Sequence, residues 1–533
     1  MDGENRTPDR PEDEGLGVSR WMWEVLAQRD RAAAEFAEDP IHDLRVAIRR
    51  CRSMAAGLQD VDADPGWRRM SRAGKRLFDA VGDLRDTQVM IGWVERLRAK
   101  KDPAADFLLG RLREREGEQK ARAAQAVARF DQRAWKRWAD VLGARARRLS
   151  PEGPVFRLLA LERFLAARAL HRLALRDRTR VAFHRLRVGL KRFRYVVENF
   201  LPAPHAAWGR DLKHLQDVLG EVHDLDVLWA TLRGMGAALS KADRLRWKNR
   251  ILAQRNFRLS DYRTRMIGPS SLWNVWRAGL PAGDAVREAV FAKVSALASS
   301  ADPAFDHAAH VAYLADQLLD GLRRAGIPAA SATDGAPEIL RAAALLHGVG
   351  RNEGGRSRPR HVARVVRAMA APVGWSDEAW EAVALAIRFH RGDPSRAIGT
   401  APERPDAAGA DVPFLVGVLR LADALDARHD RCVRRVDVES SPDVVLVRAA
   451  GCAEGLLYDR RLADARGLLE SVLRRGVVVR PGPPLVLVRA GAPGPAVSVA
   501  SAAPSASPAR AAVPSGGRAR RVRRTPRPPS SGR

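Results

Sequence analysis

The chain writes nearly the same basic segment twice. "HDLRVAIRRCRSM" fills positions 42–54, and "HRLRVGLKRFRYV" fills 184–196, with six of thirteen positions identical. A second pair, "RAGKRLFDAVGDLRDTQVM" (72–90) and "RDLKHLQDVLGEVHDLDVL" (210–228), aligns at an offset of 138. Within it Arg72 matches Arg210, Lys75 matches Lys213, Gly82 matches Gly220 and Asp86 matches Asp224. The duplicated unit is therefore a helix pair, and a fold with two related halves is expected.

At about 100° per residue, His42, Arg45, Arg49 and Arg52 project at about 0°, −60°, −20° and −80°, a narrow stripe. Leu44, Ile48, Cys51 and Met54 project on the other side as a packing face. The second copy repeats this division: His184, Arg187, Lys191 and Arg194 form the stripe, and Leu186, Leu190, Phe193 and Val197 the packing face. No carboxylate is interleaved in either stripe to support i,i+4 pairing. Like charges in register repel, so a shared anion is the expected partner. Arg offers a bidentate fork to phosphate oxygens and Lys a compact charge. The stripes hold neither aromatic platforms alternating with cations nor Asn and Gln for base reading, which favours a ligand that is all backbone.

Charge distribution agrees. Lys plus Arg exceed Asp plus Glu by 29 over 533 residues, and residues 21–300 carry 22 of that surplus while 301–500 carry 2. The length calls for more than one domain. Apolar residues at three- and four-residue spacing make 19–299 all-helical in two repeats, about 19–150 and 151–299. Helices are expected again over 300–431. A small α/β end follows over 432–492, with strands at "VRRVDVE", "DVVLVRA" and "VVVRP" around the helix "RLADARGLLESVLRR". Residues 1–18 read as a polar leader and 493–533 as a basic tail, both disordered by composition. The fold class is mainly α.

Three scattered cysteines match neither a disulfide framework nor a zinc pattern, and the acidic N-terminus is no secretory signal. With no apolar run long enough to span a bilayer, no membrane insertion is expected, and the protein is read as cytoplasmic.

The paired motifs with "VGDLRD" and "LGEVHD" resemble the conserved-histidine α-helical (CHAD) domain over about Trp21 to Ser299. The resemblance implies two similar helical bundles around a basic channel that binds inorganic polyphosphate, without a required cofactor. It carries over to His42, Arg45, Arg49, Arg52, Arg72 and Lys75, and to His184, Arg187, Lys191, Arg194, Arg210 and Lys213. Association with polyphosphate granules would follow. Asp86 and Asp224 are read as structural, capping a helix or orienting a stripe arginine.

Downstream, "FDHAAHVAYLADQL", "AALLHGVG", "RFHRGDPS" and "LRLADALDARHD" resemble the HD superfamily, and most closely the C-terminal domain of the exopolyphosphatase and guanosine pentaphosphatase family. The resemblance implies metal ligands at His307, His347 and Asp423. The position after His347 is Gly348, where metal-dependent HD enzymes carry Asp, so a carboxylate ligand is missing. The expectation is a regulatory, homodimerising or secondary phosphate-contacting domain, the last through His390 and Arg391, rather than an enzyme. The alternative reading is a phosphohydrolase acting on polyphosphate or a phosphorylated nucleotide, with Mg or Mn held by His307, His347, His361, His390 and Asp423. A second alternative is non-specific nucleic-acid binding through the bundle and "RARRVRRTPR".

Overall fold

In a computed structural model, residues 17–34, 36, 38–234, 239–350, 358–392, 411–452 and 459–483 are described. The leader and tail expectations lie outside them, except for Gly17 and for Val18, which opens the first helix.

The first repeat comprises α1 (Val18–Ala34), α2 (Glu38–Leu58), α3 (Gly66–Ala80), α4 (Gly82–Leu97), α5 (Pro103–Ala128) and α6 (Gln132–Ala146). The second comprises α7 (Pro154–Asp177), α8 (Arg180–Phe200), α9 (Pro202–Gly234), α10 (Lys241–Met266) and α11 (Leu272–Ala278), and α12 (Asp284–Ala301) follows. Helix starts obey local chemistry: Asp102, Asp131, Thr179 and Ser240 accept a backbone N–H from the first turn of α5, α6, α8 and α10. Proline opens α5, α7 and α9, where a missing N–H costs nothing.

The packing faces read from sequence are buried: Leu44, Ile48, Cys51 and Met54 on α2, and Leu186, Leu190, Phe193 and Val197 on α8. Both helices enter one core, and α2 packs on α8. That contact places the two cationic stripes side by side. A second apolar cluster joins the far ends of α4 and α9 to α5 and α10 through Met90, Trp93, Leu108, Leu228 and Trp247. Along α4 the first core ends at Leu84 and the second begins at Met90; along α9 the corresponding residues are Val222 and Leu225. Asp86 and Asp224 fall in the two gaps.

The repeats differ where Val81 interrupts α3 and α4, whereas α9 runs unbroken through the matching Gly220. Ala289, Val290, Val294 and Ala298 of α12 belong to the downstream core, and α12 also packs on α7.

The downstream part contains α13 (Phe305–Arg324), α14 (Pro328–Ala332), α15 (Ala336–Leu346), α16 (Pro359–Arg367), α17 (Asp377–Phe389), α18 (Val412–Leu425) and α19 (Arg460–Leu473). Its sheet has the order β1 (Arg435–Ser440), β2 (Val444–Ala450), β3 (Gly476–Pro481), with β1 antiparallel and β3 parallel to β2. The three strands and the helix before the last coincide with those expected. The parallel pair requires a crossover, and α19 lies in it. α14 is a single turn of helix. Among the described residues no helix is long and apolar enough to cross a membrane.

Candidate functional site

Five stripe cations converge where α2 meets α8. The Arg49 guanidinium lies 5.9 Å and the Lys191 ammonium 5.7 Å from the centroid of the Tyr195 ring. Burial comes first, and Arg49, Arg187, Arg45 and Arg52 next, in pushing Lys191 down to about 7. The charges that weigh most on this lysine are thus all positive, from both repeats. Three of those groups, Arg49, Arg52 and Arg187, have a buried Nε with no hydrogen-bond partner, and the buried Tyr195 hydroxyl has none either. Unsatisfied buried donors are costly, and an anion accepting from them would remove that cost.

Arg45 is tied down more firmly. Its Nη1 donates to the Phe78 carbonyl at 3.2 Å, its guanidinium lies 4.2 Å from the Phe78 centroid, and Asp86 is 4.0 Å away. Arg52 shares the same ring at 5.5 Å. Burial raises the Asp86 carboxyl, opposed by Arg45; burial likewise pushes Asp224 up to about 6, opposed by Arg187. Each acid thus sits beside one stripe arginine, related by the repeat. Gly82 serves the same end: a Cβ there would meet Arg45 Nη1 at 2.8 Å, so a side chain would push the guanidinium aside.

The second cluster is in the downstream part. Ligand atoms of His307, His347 and Asp423 lie within 4.8 Å of one another, all buried. His307 bridges Asp426 (Nδ1, 2.7 Å) and Asp423 (Nε2, 3.1 Å), and its ring stacks on His429 at 3.7 Å. His347 and His390 each point Nδ1 at a backbone carbonyl at 2.6 Å, Ala344 and Ile387 respectively. Arg391 places Nε and Nη2 on the two oxygens of Asp423, both at 3.2 Å. Burial pushes His347 down to about 4 and His390 to about 3, so both imidazoles are neutral at physiological pH.

Residues 22–233 match the family model of the CHAD domain, and residues 304–428 match that of the HD domain. The chain carries a CHAD domain followed by an HD domain. The "Crystal structure of the CHAD domain from the plant Ricinus communis" is similar at 20% identity, covering 52% of this chain and 96% of that one, with a TM-score of 0.35. No curated protein matches.

Within the CHAD domain the expected stripe residues divide into three groups. Arg45, Arg49, Arg52, Arg187 and Lys191 form the cluster. His42 and His184 are exposed at its edge: burial and then Arg85 and Arg49 lower the His42 pKa, and the His184 ring lies 4.9 Å from His223. Arg72, Lys75, Arg210 and Lys213 are exposed on α3 and α9. Lys75 pairs with Asp79, and Lys213 pairs with Asp217 at 3.5 Å, a duplicated i,i+4 bridge.

One inference about the stripes needs correcting. Arg194 does have a carboxylate at i+4: Glu198 lies 3.4 Å from its Nε and also pairs with Arg50. Arg194 is therefore neutralised at the cluster's edge. Asp86 and Asp224 do not cap helices, because α4 starts at Val81–Gly82 without a side-chain cap and Asp224 lies mid-helix. They flank stripe arginines instead. The sequence reading missed Tyr195, although its offset of 11 from His184 returns it to about +20° on the same stripe. A search for charge alone passes over it. Arg85, which acts on His42, Asp86 and Asp224, was missed for another reason: it lies on a different helix from either stripe.

In the HD domain the five-residue metal set separates. His307, His347 and Asp423 converge; His390 is a ring neighbour of His347 at 5.2 Å; His361 is exposed and accepts from Arg364 at 2.9 Å. Two imidazoles and one carboxylate do not suit Mg²⁺ or Mn²⁺, which favour oxygen donors. The lone carboxylate, moreover, already holds the Arg391 guanidinium. The residues present do not fit a hard divalent cation.

Proposed function

We propose that the CHAD domain binds inorganic polyphosphate through the cluster of Arg45, Arg49, Arg52, Arg187 and Lys191, with the HD domain as a regulatory, assembly or secondary binding module. The supporting observation is the Lys191 ammonium, half-buried against four arginines of two repeats and pushed down to about 7. A dense run of phosphates relieves that repulsion along its whole length, whereas one compact anion reaches only part of it. Phe78 and Tyr195 carry guanidinium and ammonium groups on their faces, so these rings are occupied and do not offer stacking surfaces to bases. This favours a base-free polymer over nucleic acid. Binding through the cluster would fall steeply with salt, because a polyanion sheds condensed counterions when cations replace them.

The deciding experiment is a binding titration of the full chain with long-chain polyphosphate, set beside the variant Arg49→Glu with Lys191→Glu. The reading requires the variant to lose roughly a hundredfold in affinity or more. Equal affinity of variant and parent would sink it, as would single-stranded DNA displacing polyphosphate at matched salt.

A further inference from the structure

A second basic site lies in the HD domain and shares no residue with the CHAD cluster. The start of α16 and the end of α17 open a cavity of ≈ 860 Å³ lined by Arg358, Arg360, His361, Arg364, Arg388 and Arg391, with Pro359 and Gly392. Five of these residues are arginines and none is acidic. Among the described residues, Arg358, Arg360, Arg364 and Arg388 have no carboxylate partner. Arg364 donates to His361 Nδ1, and Arg388 lies 5.2 Å from the Phe389 centroid.

Arg391 connects this cavity to the buried interior. It lines the opening while its fork is fixed on Asp423, which His307 also holds. Where Gly348 supplies no carboxylate and a hard cation does not fit, a guanidinium supplies the positive charge beside Asp423. The mouth of the HD centre is thereby cationic from wall to base.

Guanidinium forks match phosphate oxygens bidentately, and the cavity presents several forks at once. A single phosphate, with at most two charges near neutral pH, leaves most of them unpaired. Among the described residues no Phe, Tyr or Trp lines the cavity, so they offer no platform for a nucleobase. We propose that this pocket binds a short inorganic oligophosphate, a chain of a few phosphates without a nucleoside.

The test uses the full chain carrying Arg49→Ser and Lys191→Ser, which weakens the CHAD cluster, titrated calorimetrically with tripolyphosphate. One tripolyphosphate should still bind per chain. Adding Arg360→Ser and Arg388→Ser should weaken it roughly tenfold or more without moving the thermal melt. If that variant does not fold, Arg360→Lys with Arg388→Lys replaces it; the loss of bidentate geometry should still weaken binding several-fold. Absence of binding in the CHAD-weakened background overturns the proposal, as does an affinity unchanged by the arginine substitutions. ATP binding tenfold tighter than tripolyphosphate also overturns it, since that would mean a base is read. The long-chain titration on the parent protein is read separately, so either site can fail alone.

Discussion

Arg49 of the first CHAD repeat and Lys191 of the second lie over the same aromatic ring, 5.9 and 5.7 Å from the centroid of Tyr195. Two like charges, 142 residues apart in the chain, are held together by the packing of α2 on α8. Cation–π attraction to the shared face offsets part of their repulsion, worth about 0.5–2 kcal/mol per pair. What is not offset destabilises the free protein and is relieved by an anion.

Polyphosphate affinity should therefore decline with rising pH. Lys191 titrates near 7 in the free protein instead of 10.5, and a bound polyanion raises that value again. Between the two values the complex holds a proton that the free protein has lost, so affinity is greatest below about pH 7 and falls above it. Calorimetry from about pH 6 to 9 should show this slope in the parent and not in Lys191→Met. Folding carries the opposite sign. The unfolded lysine keeps its proton up to 10.5, so this group's penalty is full below 7 and fades as pH rises. Lys191→Met should consequently raise Tm more at pH 6 than at pH 9.

Gly82 and Gly220 should respond unequally to alanine. A Cβ at Gly82 meets Arg45 Nη1 at 2.8 Å, whereas at Gly220 the nearest atom is Arg187 Nε at 4.0 Å. Because the clashing atom is the end of a flexible side chain, G82A should change stability by less than about 1 kcal/mol yet weaken polyphosphate binding several-fold. G220A should leave binding intact. Denaturant melts and binding titrations on the two variants check this, and equal effects on binding would disconnect Gly82 from the site.

Tyr195→Phe keeps the ring and removes a buried hydroxyl that has no partner. Free-state stability should hold or rise, since an unsatisfied group costs about 1–3 kcal/mol. Polyphosphate affinity should drop by about tenfold to a hundredfold, the worth of one hydrogen bond to a charged acceptor. Thermal melts and binding isotherms should thus move in opposite directions.

In the HD domain, Arg391→Ala leaves the buried Asp423 with His307 alone on its charge. A drop in stability of about 3 kcal/mol is expected, as for a broken buried pair, which a urea melt would register. With the guanidinium gone, two imidazoles and a carboxylate face one another without a competing cation, a donor set suited to Zn²⁺. Added Zn²⁺ should raise the melting temperature of the variant and not that of the parent.

Much of the CHAD architecture was legible because helical periodicity is local. The spacing of Leu44, Ile48, Cys51 and Met54 says which face is buried, and the repeat copies that information to α8. Helix breaks fall beside Pro65, Pro103, Pro154, Pro202 and Gly268 for the same reason: proline and glycine act on their own backbone. The Arg194–Glu198 pair is equally local, a carboxylate one turn past the end of the cationic stripe on the same helix.

The sequence by itself determined a duplicated, mainly helical chain with a row of cations on one face of each copy. It also determined, through Gly348, that the HD centre lacks one carboxylate. Only the tertiary structure decided that the two rows meet, that Tyr195 and Phe78 floor them, and that Arg391 occupies the carboxylate of Asp423. Periodicity reports the direction a side chain leaves its own helix, whereas charges act through space on whatever distant segments packing brings near. Five cations, only some of them neighbours in sequence, become one site only when two apolar faces far apart in the chain bury each other.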